Sequence, residues 1–261
     1  MQFIDKEEQN LTRKFLNNGF LIHKAEKKKS LTYIHDLILK SVSKILHSKK
    51  INLNNIHKIV QVKDLNEFRL TIIKNMNSDR LFRFHYFNLS KKNLYNLVGN
   101  ELMMQKNINL SIQFPNDNSS LPPIHSDVWS GDSPFEMNLW VPLVNCYKTK
   151  SMYILQNKYL ETFNNKIANL KYKSSKQIFD TSKKMLKWLK VDYGNCLLFN
   201  QGLPHGNVTN KENETRWSMN CRFKTHFSPY HDKKIGEFFT PITTRAMTEL
   251  GLKYQYPFRV K

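Results

Sequence analysis

Apolar residues recur at helical spacing through the first hundred positions and at strand spacing after them. In SLTYIHDLILKSVSKIL (30–46), Leu31, Ile34, Leu37, Ile38, Val42 and Ile45 fall on one face of a helix, and Ser30 stands where an N-cap is wanted. Weaker helical patterns follow at 64–76 and 90–98, while GFLIH (19–23) reads as a strand entered through a glycine. Residues 1–100 are therefore expected to be a mainly helical support. From about 101 the chain breaks into short apolar or alternating runs between turn residues: INLSIQFP at 108, PPIHSD at 122, FEMNLWVPLV at 135, SMYILQ at 151, KWLKV at 187, NCLLFN at 195 and TRWSMNCRFK at 215. Such spacing predicts an all-β sandwich or barrel rather than alternating βα units. A helical insertion is expected at about 157–186, with Ile178, Phe179, Met185 and Leu186 as its apolar stripe, and 226–261 is left as a C-terminal extension. No linker or repeat divides the halves, so one domain is expected over 1–261, its helices packed on a β core.

The composition supports a large core: of 261 residues, 40% are apolar and 12% aromatic. Cys146, Cys196 and Cys221 are odd in number and form no CxxC, which predicts core thiols rather than a disulfide framework or zinc ribbon. No apolar run reaches membrane-spanning length, and the acidic N-terminal stretch MQFIDKEEQN does not resemble a signal peptide. The expectation is a cytoplasmic protein without membrane insertion.

Charge complicates this picture. Lys and Arg number 41 against 21 Asp and Glu, a formal charge of +20, which usually invites a polyanion or a phosphorylated ligand. The excess is mostly Lys beside many Asn, a pattern that an AT-rich genome also produces. No RNA-binding sheet signature, zinc finger or recognition helix accompanies it, so nucleic acid is not expected as a partner. The densest stretch, 148–190, has eleven Lys against Glu161 and Asp180, and leaves room for an anionic ligand there.

The candidate chemistry begins in PPIHSDVWSGDSPFE (122–136). On an extended segment His125 and Asp127, two apart, present an imidazole and a carboxylate to the same side. A second histidine, His205, follows the buried-strand pattern CLLFN through a Gly- and Pro-containing turn. Two histidines and a carboxylate on one face of an octahedron leave three positions open, the arrangement suited to non-haem Fe(II) and O₂. HxD alone is a weak signal. RWSMNCR strengthens it, because Arg216 and Ser218 share one strand face with Asn220 and Arg222, and an inward arginine is costly unless it meets an anion. A guanidinium forking onto a carboxylate is what a dicarboxylic co-substrate would need.

Taken together, His125-x-Asp127, His205 and Arg216-x-Ser218 after a ten-residue gap resemble the iron(II)- and 2-oxoglutarate-dependent oxygenases, particularly the phytanoyl-CoA hydroxylase-like branch. The likeness covers about 100–225, with Gly194, Phe199 and Gly206 also fitting; Asn195 departs from the more usual Asp at a turn. It implies a double-stranded β-helix, or jelly-roll, core. It also implies Fe(II), 2-oxoglutarate and O₂ as cofactor and co-substrates, with His125, Asp127 and His205 as metal ligands and Arg216 as the co-substrate anchor assisted by Ser218. Strand parity adds Gln113, Asn138, Asn207 and Arg222 as further co-substrate contacts. The presence of Asp127 argues against the family's halogenating variant, and hydroxylation is the default.

For the substrate, DVWSGDSPFE suits stacking on a sugar and hydrogen bonding to its hydroxyls, with Trp129 and Asp132 as the candidate contacts. The stretch 111–155 is also similar to oxygenases associated with bacterial surface-polysaccharide biosynthesis, which implies a small, anionic substrate such as a nucleotide-activated sugar. An acyl thioester on CoA or a carrier protein, an amino acid and a natural-product scaffold stay open. So does a different class altogether, an inactive jelly-roll that binds polyanions. A nucleic-acid demethylase lacks any base-flipping element. The oligomeric state is left open.

Overall fold

The computed structural model describes residues 3–119, 121–170 and 174–257; parts of the expected insertion (171–173) and of the C-terminal extension (258–261) lie outside these residues. The N-terminal layer runs α1 (Lys6–Asn18), β1 (Phe20–Lys24), α2 (Lys28–Leu46), α3 (Leu65–Ser78), α4 (Phe82–Asn88) and α5 (Lys91–Leu97). Helix α1 is capped by Asp5, whose Oδ1 accepts from the N–H of Glu8, and ends at Gly19 in the left-handed region with φ 74°. Helix α2 buries Leu31, Ile34, Ile38 and Val42, each contributing about 1.5–3 kcal/mol through loss of apolar surface to water. Its N-terminus differs from expectation. Lys27 occupies the cap position, and Ser30 is buried in the first turn with its hydroxyl 3.1 Å from His85 Nδ1. Tertiary packing against α4 has taken the serine that local spacing offers as a cap.

The remaining strands are β2 (Leu102–Gln105), β3 (Asn109–Gln113), β4 (Met137–Pro142), β5 (Tyr153–Leu155), β6 (Leu186–Trp188), β7 (Asn195–Asn200), β8 (His205–Gly206), β9 (Arg216–Thr225) and β10 (Phe239–Pro241). A large antiparallel sheet has the order β1-β7-β4-β9-β2-β10, with β3 pairing beside the first half of β9; a small sheet has the order β6-β5-β8. The spacing of short strands predicts such a β core with flanking helices, and the jelly-roll form is the one that the resemblance implies.

Strand β9 explains how one sequence serves two interiors. Trp217, Met219, Cys221 and Phe223 turn one way into the main core, where Trp217 meets Phe68 edge-on and its Nε1 donates to Leu53 O. Arg216, Ser218, Asn220, Arg222 and Lys224 alternate with them and face the opposite side. All three cysteines are free and buried, and burial pushes their thiols up to about 12, which leaves them inert packing groups at neutral pH.

Several elements depart from the sequence reading. PPIHSD forms no strand: His125 makes one isolated bridge, and Asp127–Ser130 turns into a 3₁₀ helix closed by Gly131 at φ 86°. The insertion holds α6 (Leu160–Ala168) and α7 (Ser175–Ser182), but Met185 ends a 3₁₀ turn and Leu186 begins β6, so the expected stripe is not one helix. These side chains still pack together with Ile178 and Phe179 around Tyr153 and Phe163. No helix among the described residues is long and apolar enough to cross a membrane.

Candidate metal centre

The two histidines are placed by each other's backbone. The N–H of His125 donates to His205 O at 2.9 Å and the N–H of His205 returns to His125 O at 2.8 Å. The turn after β7 holds the rest: Asp127 N–H donates to Gln201 O at 3.1 Å, and Ser126 Oγ donates to Gly202 O at 3.0 Å. Each imidazole commits Nδ1–H to a carbonyl, His125 to Pro123 O at 2.7 Å and His205 to Leu203 O at 2.9 Å. A carbonyl can only accept, so Nδ1 carries the proton in both rings and a neutral ring offers its Nε2 lone pair to an ion; without an ion, Nε2 of His125 is protonated where it donates to Asp127.

His125 Nε2 lies 3.5 Å from Asp127 Oδ1, and one donor atom from each of His125, Asp127 and His205 falls within 4.8 Å of the others. Asp127 Oδ2 is buried without a hydrogen-bond partner. Burial alone would raise the Asp127 carboxyl, but the His125 hydrogen bond and the neighbouring Arg222 guanidinium outweigh it and hold the group well below the usual range. Burial lowers His205 to about 4 against the pull of Asp127, so that ring is neutral. Burial also lowers His125, yet the contact with Asp127 prevails and its net shift is upward. An ionised carboxylate with an unpartnered buried oxygen beside two Nε2 atoms fits a divalent ion.

These residues open onto a cavity of about 120 Å³, several times the ~10–15 Å³ that a single water needs. Asn138, Asn207, Arg216, Ser218 and Asn220 supply its polar wall, and Trp140, Met152 and Phe199 the apolar one. Arg216 is 4% exposed. It donates through Nη1 to Asn207 Oδ1 and to Gln113 Oε1 (3.5 Å), and through Nη2 to Ser111 Oγ (3.3 Å) and Ser218 Oγ (3.4 Å). Its Nε has no partner, and among the described residues no carboxylate pairs with it. Burial lowers the guanidinium's pKa, the signature of a charge without an anion.

The other expected contacts fall in different places. Gln113 orients Arg216 from the side while its Nε2 donates to Val208 O at 2.7 Å. Arg222, expected as a co-substrate contact, pairs with carboxylates: its Nη2 lies 3.3 Å from both Asp127 Oδ1 and Asp132 Oδ2. Asp132 is only 3% exposed and held by that arginine, which withdraws it from the surface a substrate would reach. Trp129 is 53% exposed on the 3₁₀ turn that starts at Asp127, and its ring lies parallel to that of Phe163 on α6 at 6.3 Å. Sequence reading missed Ser111, although it shares strand parity with Gln113. It also missed Gln201, a turn residue with no periodicity to reveal it.

One glycine is required here. A Cβ on Gly206 would meet Tyr153 Oη at 2.6 Å and the backbone Pro123 O at 2.8 Å, and the second contact cannot rotate away. Gly206→Ala is expected to destabilise the metal-free protein by about 1–3 kcal/mol, as overpacking does, in a denaturant-unfolding comparison with wild type. Equal midpoints and slopes would show that the two segments can part freely.

No family model and no curated protein sequence matches the chain. Solved structures match its fold. The non-heme monooxygenase ThoJ in its nickel complex is 15% identical, with 91% of this chain and 85% of that one covered at a TM-score of 0.52. Apo ThoJ gives 13% identity, 90% and 84% coverage and a TM-score of 0.53. HygX from Streptomyces hygroscopicus, with nickel and 2-oxoglutarate bound, gives 12%, 89% and 90% at 0.50. At such identities the likeness is one of fold. The chain is a double-stranded β-helix protein carrying a His-Asp-His cluster, buried at Asp127 and His205 and half-buried at His125, beside an arginine without a carboxylate partner.

Proposed function

We propose that the protein is an Fe(II)- and 2-oxoglutarate-dependent oxygenase that hydroxylates a sugar or nucleotide-activated sugar. The observation that carries this reading is Arg216, a buried cation without a counter-charge, lining the same cavity as the His-Asp-His cluster. An ion pair with a ligand carboxylate supplies the missing charge, and the planar fork matches that group's geometry. The bound nickel and 2-oxoglutarate of HygX support the same assignment.

In this reading His125, Asp127 and His205 hold iron, and Arg216 with Ser218 and Ser111 receives the far carboxylate of 2-oxoglutarate. When bound, iron and 2-oxoglutarate supply O₂ activation coupled to decarboxylation of the co-substrate to succinate. The chain's own residues do the rest. Nδ1–H bonds to Pro123 and Leu203 fix the imidazoles, and Asn207 and Gln113 fix the anchor. Trp140, Met152 and Phe199 exclude water from one wall.

The sugar rests on Trp129, whose exposed ring stands on the turn that carries Asp127, and on the amides of Asn138 and Asn220 in the cavity wall. The anionic character rests on α6 and α7. Their segment meets Trp129 through Phe163 and displays exposed Lys158, Lys166, Lys176, Lys183 and Lys184. The test is anaerobic addition of Fe(II) and 2-oxoglutarate, read by the visible charge-transfer band of the chelate, followed by succinate release in the presence of nucleotide sugars, acyl thioesters and amino acids. A band lost in His205→Ala, with release stimulated by nucleotide sugars, is expected. Absence of the band in folded, metal-loaded protein overturns the oxygenase reading; stimulation by another class alone overturns the substrate.

A further inference from the structure

Gln201, wholly buried in the turn between β7 and β8, grips Asp127 in two independent ways. Its main-chain carbonyl accepts from Asp127 N–H at 3.1 Å and from Ser126 Oγ at 3.2 Å, which sets where the aspartate's backbone lies. Its side chain acts at one remove. Oε1 accepts from Arg222 Nε at 3.0 Å, and Arg222 Nη2 in turn reaches Asp127 Oδ1 and Asp132 Oδ2, both at 3.3 Å. On the other side Nε2 donates to Glu136 Oε2 at 2.8 Å and to Ser133 O at 3.2 Å.

The chemistry of the neighbours dictates the amide's orientation. A guanidinium only donates, and an ionised carboxylate only accepts, so Oε1 must face Arg222 and Nε2 must face Glu136. Glu136 is itself fixed, because its Oε1 accepts from Ser133 N–H at 3.1 Å. Arginine has many rotamers and would lose much entropy in holding one alone; here a buried, oriented amide and the ring of Phe238, 5.8 Å from the guanidinium carbon, confine it. The outcome is that Asp127 Oδ1 is engaged by Arg222 and His125, while Oδ2 has no protein partner.

We propose that Gln201, acting through Arg222 and oriented by Glu136, is the positioning residue that sets the carboxylate of Asp127 for metal binding. This rests on the reading of His125, Asp127 and His205 as a metal site. It assigns Arg222 to the metal end of the cavity and makes Asp132 a second carboxylate that keeps Arg222 centred.

The test uses Co(II), whose visible ligand-field bands report coordination geometry, together with the Co(II) dissociation constant and the thermal midpoint of each metal-free protein. Gln201→Leu keeps the backbone carbonyl and the volume but removes both side-chain bonds; it is expected to weaken Co(II) binding by about 10–100-fold and to alter the bands. The exchange Gln201→Glu with Glu136→Gln restores an acceptor for Arg222 and a donor–acceptor pair at 136; its one cost is that the bond to Ser133 O gives way to a contact between two acceptors. It is expected to bind within about threefold of wild type with wild-type bands, a rescue that a packing role does not produce. Wild-type affinity and bands in Gln201→Leu overturn the proposal, as does an exchange variant as weak as the leucine one. Should Gln201→Leu fail to fold, Arg222→Lys takes its place, since it keeps the charge and loses the Nε bond. Wild-type protein that binds no Co(II), or binds it equally in His205→Ala, overturns the metal reading itself.

Discussion

Asp127→Ala is expected to reduce succinate formation below detection while leaving the fold in place. Three donors hold the ion in the proposed site, and the aspartate is the only anionic one, so its loss removes a ligand and the charge that balances a divalent cation. The fold should survive for a reason visible in the structure. Arg222, left by Asp127, still has Asp132 and Gln201, and the variant removes a buried oxygen that had no partner. Metal content and the unfolding midpoint of purified variant and wild type check both halves. Turnover retained with bound metal would remove Asp127 from the site.

Arg216→Ala should raise the 2-oxoglutarate requirement by roughly two to three and a half orders of magnitude, since breaking a buried charge-assisted pair costs about 3–5 kcal/mol. The effect on stability has the other sign. Without co-substrate the guanidinium is buried and lacks an anion, so the metal-free, co-substrate-free variant should be no less stable than wild type despite the lost side chain. Titration of succinate release against 2-oxoglutarate and unfolding without it separate the two effects. An unchanged requirement would place the anchor elsewhere in the cavity.

The candidate site was legible as a cluster because strand periodicity and spacing constrain where side chains point. Arg216 and Ser218 share parity on β9, and Trp217 and Met219 on the other parity are large and apolar, which marks the two faces without further information. His125 and Asp127 come together although their segment is a bridge and a 3₁₀ turn rather than a strand, because extended geometry at Ser126 alone suffices to turn both side chains the same way. Arg222 shows the limit of this logic. Parity puts it on the same face as Arg216, but distance along β9 decides which groups it reaches, and its partners Gln201 and Asp132 come from turns without period. Strands β2 and β10 escaped for a similar reason. LMMQ is apolar on both faces and carries no alternation, and FTP is too short to show one. Ser30 escaped because capping and burial compete for the same residue, and tertiary contact won.

The reciprocal backbone bonds between His125 and His205 join residues 80 positions apart, across a span that contains β4 to β7 and the lysine-rich insertion. An ion held by the same two side chains would act as a removable cross-link on that span. Closing so long a loop costs the unfolded chain several kcal/mol of entropy, about 4–5 by the arithmetic used for a disulfide of this reach. Ligation and chain closure thus become one thermodynamic event. The lysine-rich insertion lies inside the loop so closed, and its stretch of the unfolded chain is released from that constraint when the ion leaves.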